Sequence, residues 1–184
     1  MNYIEQFVFR RAACRVVFLD IKSAFDSITP QHICEQLQIH GTDPDIVAWY
    51  QDFLNHRVLH YCDGTTTTSR SNPVGFPQGG VCSAKFWSIA FDPAVHLING
   101  GLPRGVAFAD YCAIAYGVPD VELLLEPLQD RIDHLTQWGH RCGLTFNPTK
   151  TQVVLFTRTR VIPSRALCVD GPPSPTLWKR DILV

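Results

Sequence analysis

The run Val16-Val17-Phe18-Leu19, closed by Asp20, narrows more than any other feature what this chain can fold into. It is short, β-branched or aromatic, and bounded by charge at Arg15 and Asp20, which is the pattern of a buried strand ending at Asp20. Such a strand needs partners. Gly105 to Phe108 and Cys112 to Tyr116 read as a hydrophobic hairpin carrying Asp110 at its turn, with Gly117 and Pro119 ending it. Gln152 to Phe156 reads as one more strand.

Helical patterns surround these strands. Thr29-Pro30 supplies a cap and a first-turn proline, followed by Ile33, Cys34 and Leu37 on one face before Gly41. Asp43-Pro44 starts a second helix with Ile46, Val47, Tyr50, Phe53 and Leu54 on its apolar side. Asp63-Gly64 suits a tight turn between Val58 to Cys62 and the segment after Thr65. After a loop from Gly75 to Gly80, Ser83 to Ile98 is apolar almost all round, which predicts a buried helix. Val121 to Trp138 keeps helical spacing, but Pro127 inside it would cost about 3 kcal/mol, so a kink or restart is expected there. The elements predict an α+β fold, an antiparallel sheet with helices packed on one face. No internal repeat is present, so the division expected is one domain over 1–160 and an irregular tail over 161–184, marked by Pro163, Pro172, Pro173 and Pro175.

A length of 184 residues, with 46% hydrophobic and 18% charged, supports one domain with a core. The net charge of -1 gives no global positive field, so contact with nucleic acid must be local or weak. Seven cysteines with no Cys-x-x-Cys pair argue for reduced thiols, and His140 with Cys142 lacks the second pair that a zinc site needs. The chain has no long apolar run and no signal-like start, which predicts an intracellular protein of cytoplasm or nucleus without a membrane partner. Nothing defines an oligomer.

Asp20 and Asp110, on separate strand ends, suit the chemistry of nucleotidyl transfer. That chemistry uses two divalent cations roughly 3.5 to 4 Å apart, for which carboxylates are natural ligands. Either aspartate alone would be an ordinary turn residue. The case comes from their surroundings: Phe25-Asp26 follows Asp20, Gly75-Phe76-Pro77-Gln78-Gly79-Gly80-Val81-Cys82-Ser83 lies between the two aspartates, and Trp138 and Gly143-Leu144-Thr145-Phe146-Asn147-Pro148-Thr149-Lys150-Thr151-Gln152-Val153 come later. In this order and at these distances the blocks resemble the palm of reverse transcriptases, RNA-directed DNA polymerases, most closely those of non-LTR retrotransposons, from about Val16 to Phe156.

The resemblance implies that Asp20 and Asp110 are catalytic metal ligands for two Mg2+ ions. It implies that Phe25 is a steric gate at the sugar, that Gln78 and Gly79 meet the incoming nucleotide or template, and that Phe108 supports the primer end. Lys150 would act as a catalytic acid toward the departing pyrophosphate. Asp26 is read as a helix cap or a brace for the loop, outside the catalytic set. The partners implied are an RNA template, a DNA primer and deoxynucleotide triphosphates.

Where the family has two consecutive aspartates at the hairpin, this chain has Asp110-Tyr111, a neutral phenol in place of a carboxylate. Gly80 and Ala84 also stand where a small polar residue and a proline are usual. The resemblance thus implies severe loss of polymerase activity, in a chain expected to lack most of the fingers and thumb. The alternatives are a non-catalytic palm module contacting RNA or protein, a retrotransposon remnant, and lastly another palm-like enzyme such as a nucleotide cyclase.

Overall fold

The computed structural model describes residues 4, 6–7, 10, 12–157, 165–171 and 176–179. In chain order the elements are β1 (Ala13–Asp20), α1 (Ala24–Ser27), α2 (Pro30–Ile39), α3 (Pro44–Asn55), β2 (Val58–Cys62), β3 (Thr67–Ser71), α4 (Ser83–Asn99), β4 (Arg104–Phe108), β5 (Tyr111–Val118), a 3-10 turn (Val121–Leu124), α5 (Leu125–Cys142), β6 (Gln152–Phe156) and β7 (Thr176–Lys179). They fall into two compact units, one drawn from 1–22, 93–141 and 145–184 and the other from 23–92 and 142–144. The architecture is α+β, as the sequence predicts. Among the described residues no helix is long and apolar enough to cross a membrane.

The first unit is built on a five-stranded sheet in the order β4-β5-β1-β6-β7. Pairing is antiparallel from β4 through β6, and β7 joins β6 in parallel. The stretch expected to be an irregular tail therefore contains a strand. Its prolines all precede Thr176, so every residue of β7 keeps the N–H that a ladder needs.

Cross-strand register sorts the side chains onto two faces, because directly opposed residues point the same way. Val17 lies opposite Ile114 and Val153, and Leu19 opposite Cys112; all are buried. Ala13 and Leu155 on this face cluster with Val121 and Leu124 of the 3-10 turn, against which Tyr116 and Val118 pack. The other face carries Phe18, Asp20, Tyr111 and Gln152, and here β1 departs from full burial at Phe18, which is 44% exposed.

The helix expected over Val121 to Trp138 restarts, as its proline requires. Asp120 caps the 3-10 turn by accepting from the Glu122 N–H, and α5 then begins at Leu125. Pro127 falls in the first turn of α5, where no intrahelical hydrogen bond is lost, so the cost of an interior proline is avoided. Leu128, Ile132, Leu135 and Trp138 form the buried stripe of this helix.

In the second unit, Thr29 caps α2 by accepting from His32 N–H, and Asp43 caps α3 by accepting from Asp45 N–H, each followed by its proline. Ile33, Cys34 and Leu37 of α2 and Val47, Tyr50 and Leu54 of α3 are buried. Asp63 closes the β2–β3 turn, its carboxylate accepting from the Thr65 and Thr66 N–H groups at 3.2 and 2.8 Å, with Gly64 at a φ of +94°. The helix expected to be buried all round is instead one-sided. Ser83, Trp87, Ala90, Phe91, Ala94 and Ile98 of α4 are buried while Ala84, Lys85 and Ser88 are exposed, and the unit boundary falls within α4 at Pro93.

Arg15 is fully buried on β1, and none of its three guanidinium nitrogens has a hydrogen-bond partner among the described residues. Burial pushes its pKa down, and the charge of Glu122 draws it back up. Replacing a buried, poorly paired charge by an apolar side chain is often stabilising, so Arg15→Leu should raise the unfolding free energy by about 1 to 3 kcal/mol in urea denaturation. A loss of stability would show that the guanidinium is productively paired.

All seven cysteines are free thiols; Cys14, Cys34, Cys112 and Cys142 are buried, and Cys62, Cys82 and Cys168 exposed. Burial pushes Cys14 and Cys112 up to about 12, with the Asp110 charge adding to the effect at Cys112. Hydrogen bonds from the Gly64 backbone and then the Thr67 side chain hold Cys62 below its ordinary value. A thiol reagent at about pH 8 should therefore label Cys62 first, then Cys82 and Cys168, leaving the four buried thiols until unfolding. Peptide mass spectrometry reads that order.

Candidate active site

The end of β1 is tied to its neighbours by backbone hydrogen bonds. Asp20 lies opposite Tyr111, and the Ile21 N–H donates to the Asp110 carbonyl at 3.1 Å. Phe108 pairs with Tyr111, so Ala109 and Asp110 alone form the hairpin turn, and Ala109 takes a left-handed φ of +53°. On the other side Asn147 N–H donates to the Asp20 carbonyl at 2.8 Å, and Lys22 N–H to Thr145 at 2.9 Å. Asp20 is thus clasped between the hairpin and the Thr145-to-Lys150 segment.

That segment turns on Asn147. Its side-chain oxygen accepts from the Thr149 N–H at 3.1 Å and the Thr149 hydroxyl at 2.7 Å, while its carbonyl accepts from the N–H groups of Lys150 and Thr151. The turn brings Lys150 Nζ to 3.2 Å from Asp20 Oδ2. Asp20 is 4% exposed, yet Oδ2 has no aligned hydrogen-bond donor among the described residues, so the ammonium stands at ion-pair distance without good hydrogen-bond alignment. The close side-chain contact with Asp20, followed by that carboxylate's charge, raises the Lys150 pKa above its ordinary value, with smaller support from Tyr111 and Asp110.

A cleft of about 490 Å³ opens at this edge, lined by Phe18, Asp20, Tyr111, Lys150 and Gln152 among others. Tyr111 is 54% exposed here. Phe108, beside the turn, is exposed. Phe18 and Gln152 were not singled out from the sequence, although counting two residues back from Asp20 would have placed Phe18 on the same face.

Among the described residues no three His, Cys, Asp or Glu side chains gather as a metal cluster. Asp20 Oδ2 is nevertheless a buried acceptor whose near neighbour is the Lys150 ammonium, which a hard cation would have to displace, and Asp110 is a second carboxylate on the adjoining turn. Magnesium is commonly held by one or two carboxylates, with water and substrate phosphates completing its shell. Asp20 supplies one such oxygen to the cleft, Asp110 is not among the residues that line it, and Tyr111 adds no carboxylate. His140 and Cys142 point to different partners, His140 to Asp170 at 2.9 Å and Cys142 Sγ to His32 Nδ1 at 3.4 Å.

Phe25, Gln78 and Gly79 belong to the second unit. The Phe25 ring stacks on Trp87 at 5.0 Å between centroids and meets Phe76 edge-on at 6.1 Å. Gly75 N–H donates to Ile28 O at 2.8 Å and Phe76 N–H to Phe25 O at 2.6 Å, stapling the loop to α1. Gly75 has a φ of +79°, and a Cβ there would strike the Phe25 carbonyl and lie 2.6 Å from Asp26 Cα, so only glycine fits. Gln78 is exposed and its Nε2 donates to both oxygens of Asp26, at 3.2 and 3.1 Å. Of the two expected roles for Asp26, bracing the loop is the one realised, since Thr29 caps α2. Gly79 has a φ of +80° and open space around it.

Lys150 sets up a direct test of Asp20 as a cation ligand, because an arriving cation must displace its ammonium. In Mn2+ titrations followed by electron paramagnetic resonance, Lys150→Met should bind about 3- to 10-fold more tightly than the unaltered chain. Asp20→Asn should lose binding, and equal affinity in that variant would remove Asp20 from the ligand set.

The chain matches the reverse transcriptase (RNA-dependent DNA polymerase) family over residues 5–180. It is 26% identical over 175 residues to a probable RNA-directed DNA polymerase from transposon X-element of Drosophila melanogaster, an alignment covering 90% of this chain and 19% of that protein. Apo telomerase from Candida tropicalis, truncated from its C-terminal domain, is similar with a TM-score of 0.61 at 12% identity, covering 91% of this chain and 36% of that one. Telomerase from Candida albicans in complex with the TWJ fragment of telomeric RNA has a TM-score of 0.52 at 14% identity, covering 92% and 30%. These two similarities are of fold. The chain spans well under half the length of each of these relatives.

Proposed function

This chain belongs to the reverse transcriptase (RNA-dependent DNA polymerase) family, and we propose that the cleft at the Asp20 end of β1 is a nucleotidyl-transfer centre of the non-LTR retrotransposon type, weakened by Tyr111. The observation that carries this reading is the buried Asp20 carboxylate with Oδ2 facing Lys150, in a cleft that Tyr111 also lines. The transposon polymerase relative supports the retrotransposon assignment.

Asp20 and Asp110 are the residues to hold Mg2+, which when bound activates the primer 3′-hydroxyl and neutralises the triphosphate. Lys150, carried beside Asp20 on the Asn147 turn, serves as the proton donor to the departing pyrophosphate. Phe25, braced by Trp87 and Phe76, acts as the gate at the sugar, while Gln78 and Gly79 meet the nucleotide. The substrates on this reading are deoxynucleotide triphosphates, a DNA primer and an RNA template.

Tyr111 favours a second reading in one respect. An exposed phenol where a carboxylate would sit suits a palm that contacts RNA or protein without catalysis. Filter binding of RNA across a salt series addresses it, since contacts dominated by phosphates weaken steeply with salt.

Primer extension on an RNA template, with Mg2+ or Mn2+, tests the leading reading. The chain should extend poorly, and Tyr111→Asp, with template- and duplex-holding segments supplied, should gain at least about tenfold, equivalent to about 1.4 kcal/mol of barrier. Vigorous extension by the unaltered chain would overturn the claim of impairment. Failure of Tyr111→Asp to gain would place the defect elsewhere.

A further inference from the structure

We infer that Asp26 is a positioning residue that fixes the side-chain amide of Gln78 with its carbonyl oxygen turned outward, so that the loop offers a hydrogen-bond acceptor to its ligand. The inference rests on the proposed function for the identity of that ligand, an incoming deoxynucleotide, but not for the positioning itself.

The orientation follows from donor and acceptor inventory. An aspartate carboxylate only accepts, so the Gln78 group facing it must be the NH2, and Nε2 reaches both Asp26 oxygens, at 3.2 and 3.1 Å. Oε1 is then the end left for a ligand. A flexible exposed glutamine would otherwise sample both amide orientations, presenting a donor as often as an acceptor.

Asp26 is itself well anchored. Its N–H donates to the Ser23 carbonyl at 2.8 Å, and Ser23 sits at a left-handed φ of +48° ahead of α1. The Gly75 and Phe76 hydrogen bonds hold the far loop against the same turn, and the absence of a Cβ at Gly75 allows the close approach. Pro77 O accepts from Ser83 Oγ at 2.6 Å, fixing the residue before Gln78 to the start of α4. The two halves of the pair are therefore carried on backbone that is fixed independently of the pair. Since both side chains are exposed, the bond adds little to stability, and its main effect is on which atom of Gln78 faces outward.

Exchange of donor and acceptor gives a test that a merely structural role would not pass. In Asp26→Asn the new amide keeps an acceptor and gains a donor, so it pairs with Gln78 in either sense and no longer fixes which atom turns outward. In Asp26→Asn with Gln78→Glu, the asparagine donates to one glutamate oxygen and the other faces out, restoring an acceptor. The Gln78 side-chain NH2 signal is to be followed in the glutamine-15N-labelled full chain, assigned by its loss in Gln78→Ala. Apparent affinity for dGTP is to be measured alongside, with primer and template present.

Asp26→Ala should shift the NH2 signal and weaken dGTP by about 5- to 10-fold, Asp26→Asn should weaken it by less, and the double variant should recover to within about 3-fold of the unaltered chain. An NH2 signal unmoved by Asp26→Ala overturns the positioning role. A moved signal with unchanged dGTP affinity, or no recovery in the double variant, overturns the acceptor role. If the unaltered chain does not bind dGTP, the proposed function falls and the ligand half of this inference falls with it, while the NH2 signal still decides the positioning half.

Discussion

Pairing of β1 on both edges is the constraint on which the first unit depends. A central strand has no free ladder groups, so its register against β5 and β6 is fixed along its length, and a slip of one residue would exchange its two faces. Val17 and Leu19 would leave the core while Phe18 and Asp20 entered it. Asp20, already buried, would lose its Lys150 partner and face apolar side chains instead, which makes the observed register doubly determined. The cleft forms where the side-chain alternation of β1 places Phe18 and Asp20 on the face that Tyr111 and Gln152 share.

The groups around Asp20 are placed largely by main-chain hydrogen bonds. Ile21 N–H to Asp110 O and Asn147 N–H to Asp20 O set three segments in register before any side chain is considered. Lys150 is then aimed by the Asn147 turn. In the second unit the same logic holds, with the loop held to α1 by two backbone bonds and a glycine that permits their closeness. Such a framework tolerates change in side chains, which helps explain how Tyr111 can stand at the hairpin without displacing Asp20 from Lys150.

Much of this was legible in the sequence because short-range chemistry dictates it. Thr29-Pro30 and Asp43-Pro44 became helix starts, Asp63-Gly64 a hairpin turn, and Val16 to Asp20 a strand, each from a signal within a few residues. What local signals do not encode was missed or misjudged. β7 has a pattern too weak to read alone and owes its form to the edge of β6. The one-sided burial of α4 escaped notice because exposed Ala84 and Ser88 are small enough to suit either environment. The Asp26–Gln78 bond joins residues 52 apart, and only a brace of unspecified partner could be anticipated. At the candidate site, motif spacing singled out Asp20, Asp110 and Lys150, while Phe18 and Gln152 enter the cleft through register across three strands.

Ala109 gives the hairpin a further meaning. An alanine at a φ of +53° is there against its own preference, since left-handed geometry costs an L-residue on the order of 1 kcal/mol. The turn is therefore imposed by the paired strands on either side and not chosen by the residues in it. The place of Asp110 is accordingly borrowed from the sheet: were β4 and β5 to part, the turn would have a downhill path to relax and would carry Asp110 with it. The placement of that charge therefore depends on the pairing of β4 with β5 more than on the two residues of the turn.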